Sequence, residues 1–182
     1  MHAVVSLLPK EYEDQVFLLL DELEHHFGLR GVRTTPIPHF TYHLGDSYAE
    51  NKATQILKDL SEQQTPFEVQ VDGVETFYST QPTVFLKVRK NPELLKAHQT
   101  LWKNLLPYAK GLNLLYSPPL WRPHITLAYQ DLKLENLRQV LRFLREKKIE
   151  WKFKVDNFTY IIANDESGAL TQRLFSFLDK QD

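Results

Sequence analysis

Two short stretches of the sequence, PHFT and PHIT, each carry a histidine and a threonine two residues apart. The imidazole of histidine titrates near neutral pH, so one histidine can accept a proton while a second donates one. A threonine hydroxyl can hold a phosphoryl oxygen by a hydrogen bond. The two pairs, His39 with Thr41 and His124 with Thr126, therefore predict acid–base chemistry at a phosphorus centre.

Both pairs lie within apolar sequence of the kind that forms a buried strand. Successive side chains of a strand point to opposite faces, so His39 and Thr41 share one face and Phe40 takes the other. A single pair of this kind is more often part of a core than of a site. Two pairs in matching places favour a groove in which the two imidazoles face each other.

The elements that position these pairs follow the same order twice. Apolar periodicity predicts strand, helix, His-Thr strand, helix and strand in residues 1–80 and again in residues 81–182, which indicates a duplicated βαβαβ unit. The predicted strands are 4–8, 39–42, 67–77, 84–88, 124–129, 151–162 and 170–177, and the predicted helices are 10–27, 49–60, 92–106 and 134–147. A Pro-rich loop is predicted at 107–123 and a turn at 164–168.

Bulk composition limits the class of protein. A chain of 182 residues with 42% hydrophobic residues can build one sizeable core, so we predict a single domain over 1–182. The absence of cysteine excludes disulfides and thiolate metal sites. No segment predicts a signal peptide or a membrane span, and we expect a cytoplasmic protein.

The net charge of −1 argues against a general binder of long nucleic acids, which needs a broad positive field. A nucleic-acid substrate would have to be held by a local site. The basic segments 87–90 and 144–148 either contribute to such a site or form a strand end and a solvated helix face.

The paired motifs resemble those of the 2H phosphoesterase superfamily, whose HxTx motifs correspond to HFTY at 39–42 and HITL at 124–127. Within that superfamily the chain most resembles the RNA 2',3'-cyclic phosphodiesterases, also called 2'-5' RNA ligases. The longer phrase RPHITLA at 122–128 is especially similar to the usual phrase of that group. The resemblance in element order covers essentially the whole chain.

This resemblance implies a bilobal α+β fold with two lobes related by a pseudo-twofold axis, antiparallel sheets and a central groove. It implies opening of 2',3'-cyclic phosphates of RNA ends or nucleotides to 2'-phosphates, without metal or cofactor, and in some members reversible 2'-5' RNA ligation. His39 would be the acid, His124 the base, and Thr41 and Thr126 the phosphate-binding hydroxyls. No membrane or protein partner is implied.

Several residues around the motifs are candidate substrate contacts. Arg122, two residues before His124, could add a fixed positive charge against a phosphate. The chain departs from the family pattern at Tyr42 and His43 in the first motif, and at Tyr129, where a basic residue is common. Aromatic residues near the groove, Tyr129, Trp121 and Tyr116 among them, would either stack on a base or pack between the lobes.

Three alternatives remain open at this level. His39 and His43 are spaced as a pair of zinc ligands, although no acidic residue or cysteine accompanies them. The groove could bind nucleotide or RNA ends without turning them over. The substrate could also be a small nucleotide, such as an ADP-ribose cyclic phosphate or a 2'-5' oligonucleotide.

Overall fold

The computed structural model describes residues 1–34, 37–163 and 170–178, so the turn predicted at 164–168 lies outside the described residues. The helices are α1 (Lys10–Phe27), α2 (Glu50–Ser61), α3 (Pro92–Leu105) and α4 (Leu134–Glu146). The strands are β1 (His2–Leu7), β2 (His39–Gly45), β3 (Ser47–Tyr48), β4 (Phe67–Phe77), β5 (Thr83–Arg89), β6 (Ala109–Lys110), β7 (His124–Ala128), β8 (Glu150–Val155), β9 (Asn157–Ala163) and β10 (Leu170–Ser176).

Two four-stranded antiparallel sheets form the framework. The first sheet has the order β10-β9-β1-β2 and the second has the order β7-β5-β4-β8. The His-Thr strands β2 and β7 are therefore edge strands, one in each sheet, and they contact each other. This arrangement confirms the predicted α+β architecture with antiparallel sheets.

Each sheet takes strands from both halves of the chain. The run 151–162 was predicted as one strand, and this prediction is wrong because the run divides at Asp156 into β8 and β9. β8 pairs with β4 in the second sheet, whereas β9 pairs with β1 in the first. The Asn157 side chain supports this crossing, since its Oδ1 accepts a hydrogen bond from the backbone N–H of Leu7 at 3.0 Å.

The helices bury apolar stripes against these sheets. In α4, Leu137, Val140, Leu141 and Leu144 are buried at helical spacing. One continuous hydrophobic cluster includes residues of β1, β2, β5 and β7, so apolar contacts link the two sheets. Within the described residues, no helix combines the length and the apolar composition that a membrane crossing needs.

Both motif strands carry a one-residue irregularity directly after the threonine. Val5 and Val4 are consecutive residues of β1, and they pair with Thr41 and His43 of β2. Tyr42 is therefore the extra residue in β2. In the same way, Phe85 and Val84 of β5 pair with Thr126 and Ala128 of β7, so Leu127 is the extra residue in β7. Such β-bulges re-aim the side chains that follow them and occur often beside active sites. The bulges make the two motifs equivalent in backbone as well as in sequence.

Candidate active site

The two motif histidines have the same hydrogen-bonding pattern. Nδ1 of His39 lies 2.5 Å from the carbonyl oxygen of Ile37, and Nδ1 of His124 lies 2.6 Å from that of Arg122. Because a carbonyl oxygen can only accept, Nδ1 carries the proton and donates it in both cases. In the neutral imidazole Nε2 then keeps its lone pair, so each histidine offers Nε2 for proton transfer.

The proline before each histidine accounts for this pattern. Pro38 and Pro123 each separate a histidine from the carbonyl that accepts from its ring. Proline fixes its own φ and holds the preceding residue in extended conformation, which fixes the direction of that carbonyl. The Pro-His part of each motif is therefore a device that orients the imidazole, which sequence reasoning did not identify.

Burial disfavours the protonated form of both imidazoles. It lowers the pKa of His39 from its ordinary value, against the opposing effect of the Ile37 carbonyl. Burial also lowers the pKa of His124, with smaller lowering effects from the charges of His39 and Arg122. The edge strands β2 and β7, which carry His39 and His124, contact each other. The structure thus brings the two predicted histidines together.

The two threonines accompany the histidines on the edge strands. Thr41 is 9% exposed and Thr126 is half-buried. Burial raises the pKa of the Tyr116 hydroxyl, and hydrogen bonding with the side chain of Thr41 partly offsets this. The ring centroid of Tyr116 is also 6.5 Å from that of His124. Tyr116 consequently connects the first motif to the second.

Aromatic rings that sequence reasoning did not assign to the site enclose His124. The centroids of Phe77 and Phe85 each lie 5.0 Å from that of the imidazole. These residues come from β4 and β5, the neighbouring strands of the second sheet. Only strand pairing brings them beside His124, and the spacing in the sequence carries no signal of it.

Arg122 lies close to the second motif but is already paired. Its guanidinium donates to Glu75 at 2.7 Å and sits 4.9 Å from the centroid of Phe77. Glu75 also pairs with Lys87, and these two cations lower the pKa of Glu75, Lys87 having the larger effect. If Arg122 also contacts a phosphate, its guanidinium would bind both that phosphate and Glu75. The phosphate contact of Arg122 remains a prediction.

Three of the candidate substrate contacts lie in the core, and the expectation that they touch substrate is corrected. The side chains of Tyr42 and His43 are fully buried, and Trp121 is 1% exposed. Tyr42 is the bulged residue of β2 and its hydroxyl is hydrogen-bonded to Ser6. Tyr129, in contrast, is 43% exposed, and its hydroxyl raises the pKa of Tyr116. Tyr129 and Tyr116 are thus the aromatic candidates that remain beside the site.

The His43 ring is held by core residues and does not form a pair of zinc ligands with His39. Nδ1 of His43 is hydrogen-bonded to the hydroxyl of Tyr48, and its ring packs on Trp102 with centroids 4.6 Å apart. Within the part of the chain that the structure describes, no three His, Cys, Asp or Glu side chains form a cluster suited to a metal ion.

Trp121 links the two motifs through the core. Its indole N–H donates to the backbone carbonyl of Thr41 at 2.8 Å, and its ring stacks on His98 with centroids 3.8 Å apart. His98 in turn is hydrogen-bonded through Nε2 to the carbonyl of Tyr116 at 2.9 Å. The buried residues therefore position the groove residues, although they do not reach the groove.

Replacement of Trp121 by phenylalanine is expected to lower the free energy of unfolding by about 1–3 kcal/mol. The variant keeps an aromatic ring but leaves the buried Thr41 carbonyl without its donor. Urea denaturation measures the change. The matched control is Trp151→Phe, because the half-buried Trp151 makes no indole hydrogen bond among the described residues. Equal losses in the two variants would contradict the importance of this hydrogen bond.

The fold and the paired edge strands define a protein of the two-motif phosphoesterase type. The sequence model of the 2'-5' RNA ligase superfamily matches residues 12–166, and the chain belongs to this superfamily. A relative from Shouchella clausii (strain KSM-K16), ABC1741, which is named as a phosphoesterase, is 27% identical over 134 residues, 72% of this chain and 74% of its own. The function at the level of the family is that of a phosphoesterase.

Solved structures of other proteins have the same fold. TT0787 of Thermus thermophilus is 15% identical with a TM-score of 0.66, and the match covers 99% of both chains. E. coli LigT in complex with 3'-AMP is 16% identical with a TM-score of 0.62, covering 97% of this chain and 96% of LigT. The bilobal 2H phosphoesterase fold that the motifs predicted is thereby confirmed.

Proposed function

We propose that this protein opens 2',3'-cyclic phosphates of RNA ends or nucleotides to 2'-phosphates by metal-independent two-histidine catalysis, and that the same site carries out reversible 2'-5' RNA ligation, in which a 5'-hydroxyl attacks the phosphorus in place of water. The observation that carries the proposal is the shared state of His39 and His124. Both donate from Nδ1 to a backbone carbonyl, which leaves Nε2 for proton transfer. Membership of the 2'-5' RNA ligase superfamily supports the proposed substrate class.

The proposed reaction needs one neutral and one protonated imidazole. The neutral histidine removes a proton from water, whose oxygen forms a new bond to phosphorus. The P–O3' bond breaks, and the protonated histidine donates its proton to the leaving 3'-oxygen. The hydroxyls of Thr41 and Thr126 would hold the non-bridging oxygens, and the product carries its phosphate on the 2'-oxygen.

The charges beside His124 support its assignment as the base. Burial, and to a smaller extent the charges of His39 and Arg122, lower the pKa of His124, which favours its neutral form. His39 would then be the acid, and the phosphate of a bound substrate would stabilise its protonated form. This assignment of His39 as the acid and His124 as the base is the one that the family resemblance implies.

The pH dependence of kcat/KM should be bell-shaped, with its maximum below the ordinary histidine pKa of about 6.5. The profile reports the free enzyme, and in the free enzyme burial lowers the pKa of both His39 and His124. The rate should fall at high pH as the acid loses its proton, and at low pH as the base becomes protonated. A profile that is flat between about pH 5 and 9 would sink the two-histidine mechanism.

A substrate panel tests the proposed function against its alternatives. It comprises adenosine 2',3'-cyclic phosphate, an RNA with a cyclic phosphate end, 2'-5' oligoadenylate and ADP-ribose cyclic phosphate. Nucleotides are suitable first ligands because E. coli LigT, which has the same fold, forms a complex with 3'-AMP. Turnover of the two 2',3'-cyclic substrates supports the proposal. Ligand binding without turnover of any substrate would instead indicate a binding module.

A further inference from the structure

A second surface feature lies outside the two motifs, along helix α4. It is a groove of about 700 Å³ between α4 and Tyr78, the residue that follows β4. Its floor is apolar, since Leu137 and Leu141 are nearly buried, and Leu134 is exposed at one end. This volume falls within the range of ligand sites, about 300–1,000 Å³.

The groove carries an arginine stripe, which we define as Arg138, Arg142 and Arg145. Their spacing along α4 places them on one helix face over about 10 Å. All three are exposed, and within residues 1–34, 37–163 and 170–178 none forms an ion pair. The one acid that lines the groove is Glu146, so the groove has a net positive charge.

The stripe differs from four of the other five arginines, and Arg173 on β10 is the remaining arginine without an ion pair among the described residues. Arg30, Arg33, Arg89 and Arg122 are each paired with a carboxylate. The protein as a whole carries a net charge of −1. Three neighbouring arginines without carboxylate partners among the described residues are therefore a local concentration of positive charge, which complements a polyanion.

The end of β4 links the groove to the candidate active site through two consecutive residues, Phe77 and Tyr78. Phe77 packs against His124, with ring centroids 5.0 Å apart, and Tyr78 is the next residue. Tyr78 follows the last residue of β4 and lines the α4 groove. A strand bound at His124 could pass over the end of β4 and continue along α4.

We propose that the α4 groove binds the body of a single-stranded RNA whose cyclic phosphate end lies between His39 and His124. This inference rests on the proposed function and specifies its substrate as an oligonucleotide. The arginine stripe would hold backbone phosphates, as arginine does in bidentate contacts. The Tyr78 ring, 76% exposed, would stack on a base, and the leucine floor would accept the other bases.

The test compares two substrates of the full-length protein. One is adenosine 2',3'-cyclic phosphate, which has no further nucleotides to occupy the groove, and the other is a ten-nucleotide RNA with a 2',3'-cyclic phosphate end. In the triple variant Arg138→Ala, Arg142→Ala, Arg145→Ala, we expect KM for the RNA to rise by about tenfold or more and the KM for the mononucleotide to stay unchanged. The salt dependence of RNA affinity should weaken by about 2 in log–log slope, which is about 0.7 for each of three lost contacts.

Matched variants separate binding from stability. Arg173→Ala is the control, because Arg173 is exposed on β10 of the other sheet and makes no ion pair among the described residues. Tyr78→Ala should weaken RNA binding by about five- to a hundredfold through lost stacking. The single variant Arg142→Glu is also expected to weaken RNA binding. It replaces the triple variant in the test if the triple variant does not fold.

The outcomes distinguish this inference from the proposed function. Unchanged RNA affinity in the folded Arg142→Glu or triple variant would overturn the groove assignment while leaving mononucleotide turnover intact. If the wild type turns over neither substrate, fluorescence anisotropy with a labelled RNA still tests the groove, and weaker binding by the variants would support it. Binding of an acidic peptide as tightly as the RNA would overturn RNA as the occupant.

Discussion

Replacement of His124 by alanine is expected to lower kcat for opening of a 2',3'-cyclic phosphate by about a hundred- to ten-thousandfold. The variant loses the Nε2 that would remove a proton from water, while the hydroxyls of Thr41 and Thr126 remain. His39→Ala should have an effect of the same order. The double variant should be little worse than either single one, because two groups that act as a unit lose their effect together.

The controls for this experiment come from the same chain. His25→Ala removes an exposed histidine in the last turn of α1, and its kcat should equal that of the wild type. Binding of a 2'-phosphate nucleotide, measured by calorimetry, should change little in the His39 and His124 variants. A kcat close to that of the wild type in both alanine variants would contradict the assignment of the two histidines.

Acidification is the second condition with a large expected effect, and it acts through buried histidines outside the site. Burial lowers the pKa of His43 and of His98 to about 4 in each case. His43 Nε2 and His98 Nδ1 are buried without hydrogen-bond partners among the described residues, so a proton added at either atom would be poorly stabilised. The charge of His98 also lowers the pKa of His43.

The sign of the effect follows from proton linkage. Between about pH 6.5 and 4 the unfolded chain binds protons at these histidines and the folded chain does not, so the free energy of unfolding falls as the pH falls. We expect each histidine to contribute a loss of about 1–3 kcal/mol over this window. Urea denaturation at several pH values between about 7 and 4 measures the slope.

His98→Gln isolates one of these contributions. Glutamine can still donate to the Tyr116 carbonyl but cannot be protonated, so the slope should fall by about 1.4 kcal/mol per pH unit, the value for one proton. The control His25→Gln replaces an exposed histidine and should keep the wild-type slope. An unchanged slope in His98→Gln would show that His98 does not resist protonation in the folded protein.

The sequence was sufficient to predict the features that depend on local periodicity. The helix over Lys10–Phe27 and the strand over Phe67–Phe77 have the predicted bounds, because apolar spacing and a terminating glycine define the former and alternation defines the latter. The two His-Thr pairs were recognisable because they occur in equivalent places. Their placement on adjoining edge strands agrees with the predicted groove.

Features that depend on long-range pairing were not predictable from the sequence. The division of 151–162 into β8 and β9 arises because the two segments pair in different sheets, while the residues themselves read as one apolar run. The burial of Tyr42 and His43 side by side results from the bulge in β2, which breaks strict alternation. The closeness of Phe77 to His124 likewise depends on sheet order.

The most direct test of the proposed function is the position of the phosphate in the product. Adenosine 2',3'-cyclic phosphate is incubated with the wild type and with the His39→Ala, His124→Ala double variant, and ³¹P NMR with proton coupling identifies the product. We predict that the wild type accumulates the 2'-phosphate and that the double variant leaves the cyclic phosphate unchanged over the same time. Formation of the 3'-phosphate, or equal turnover by the double variant, would contradict the account.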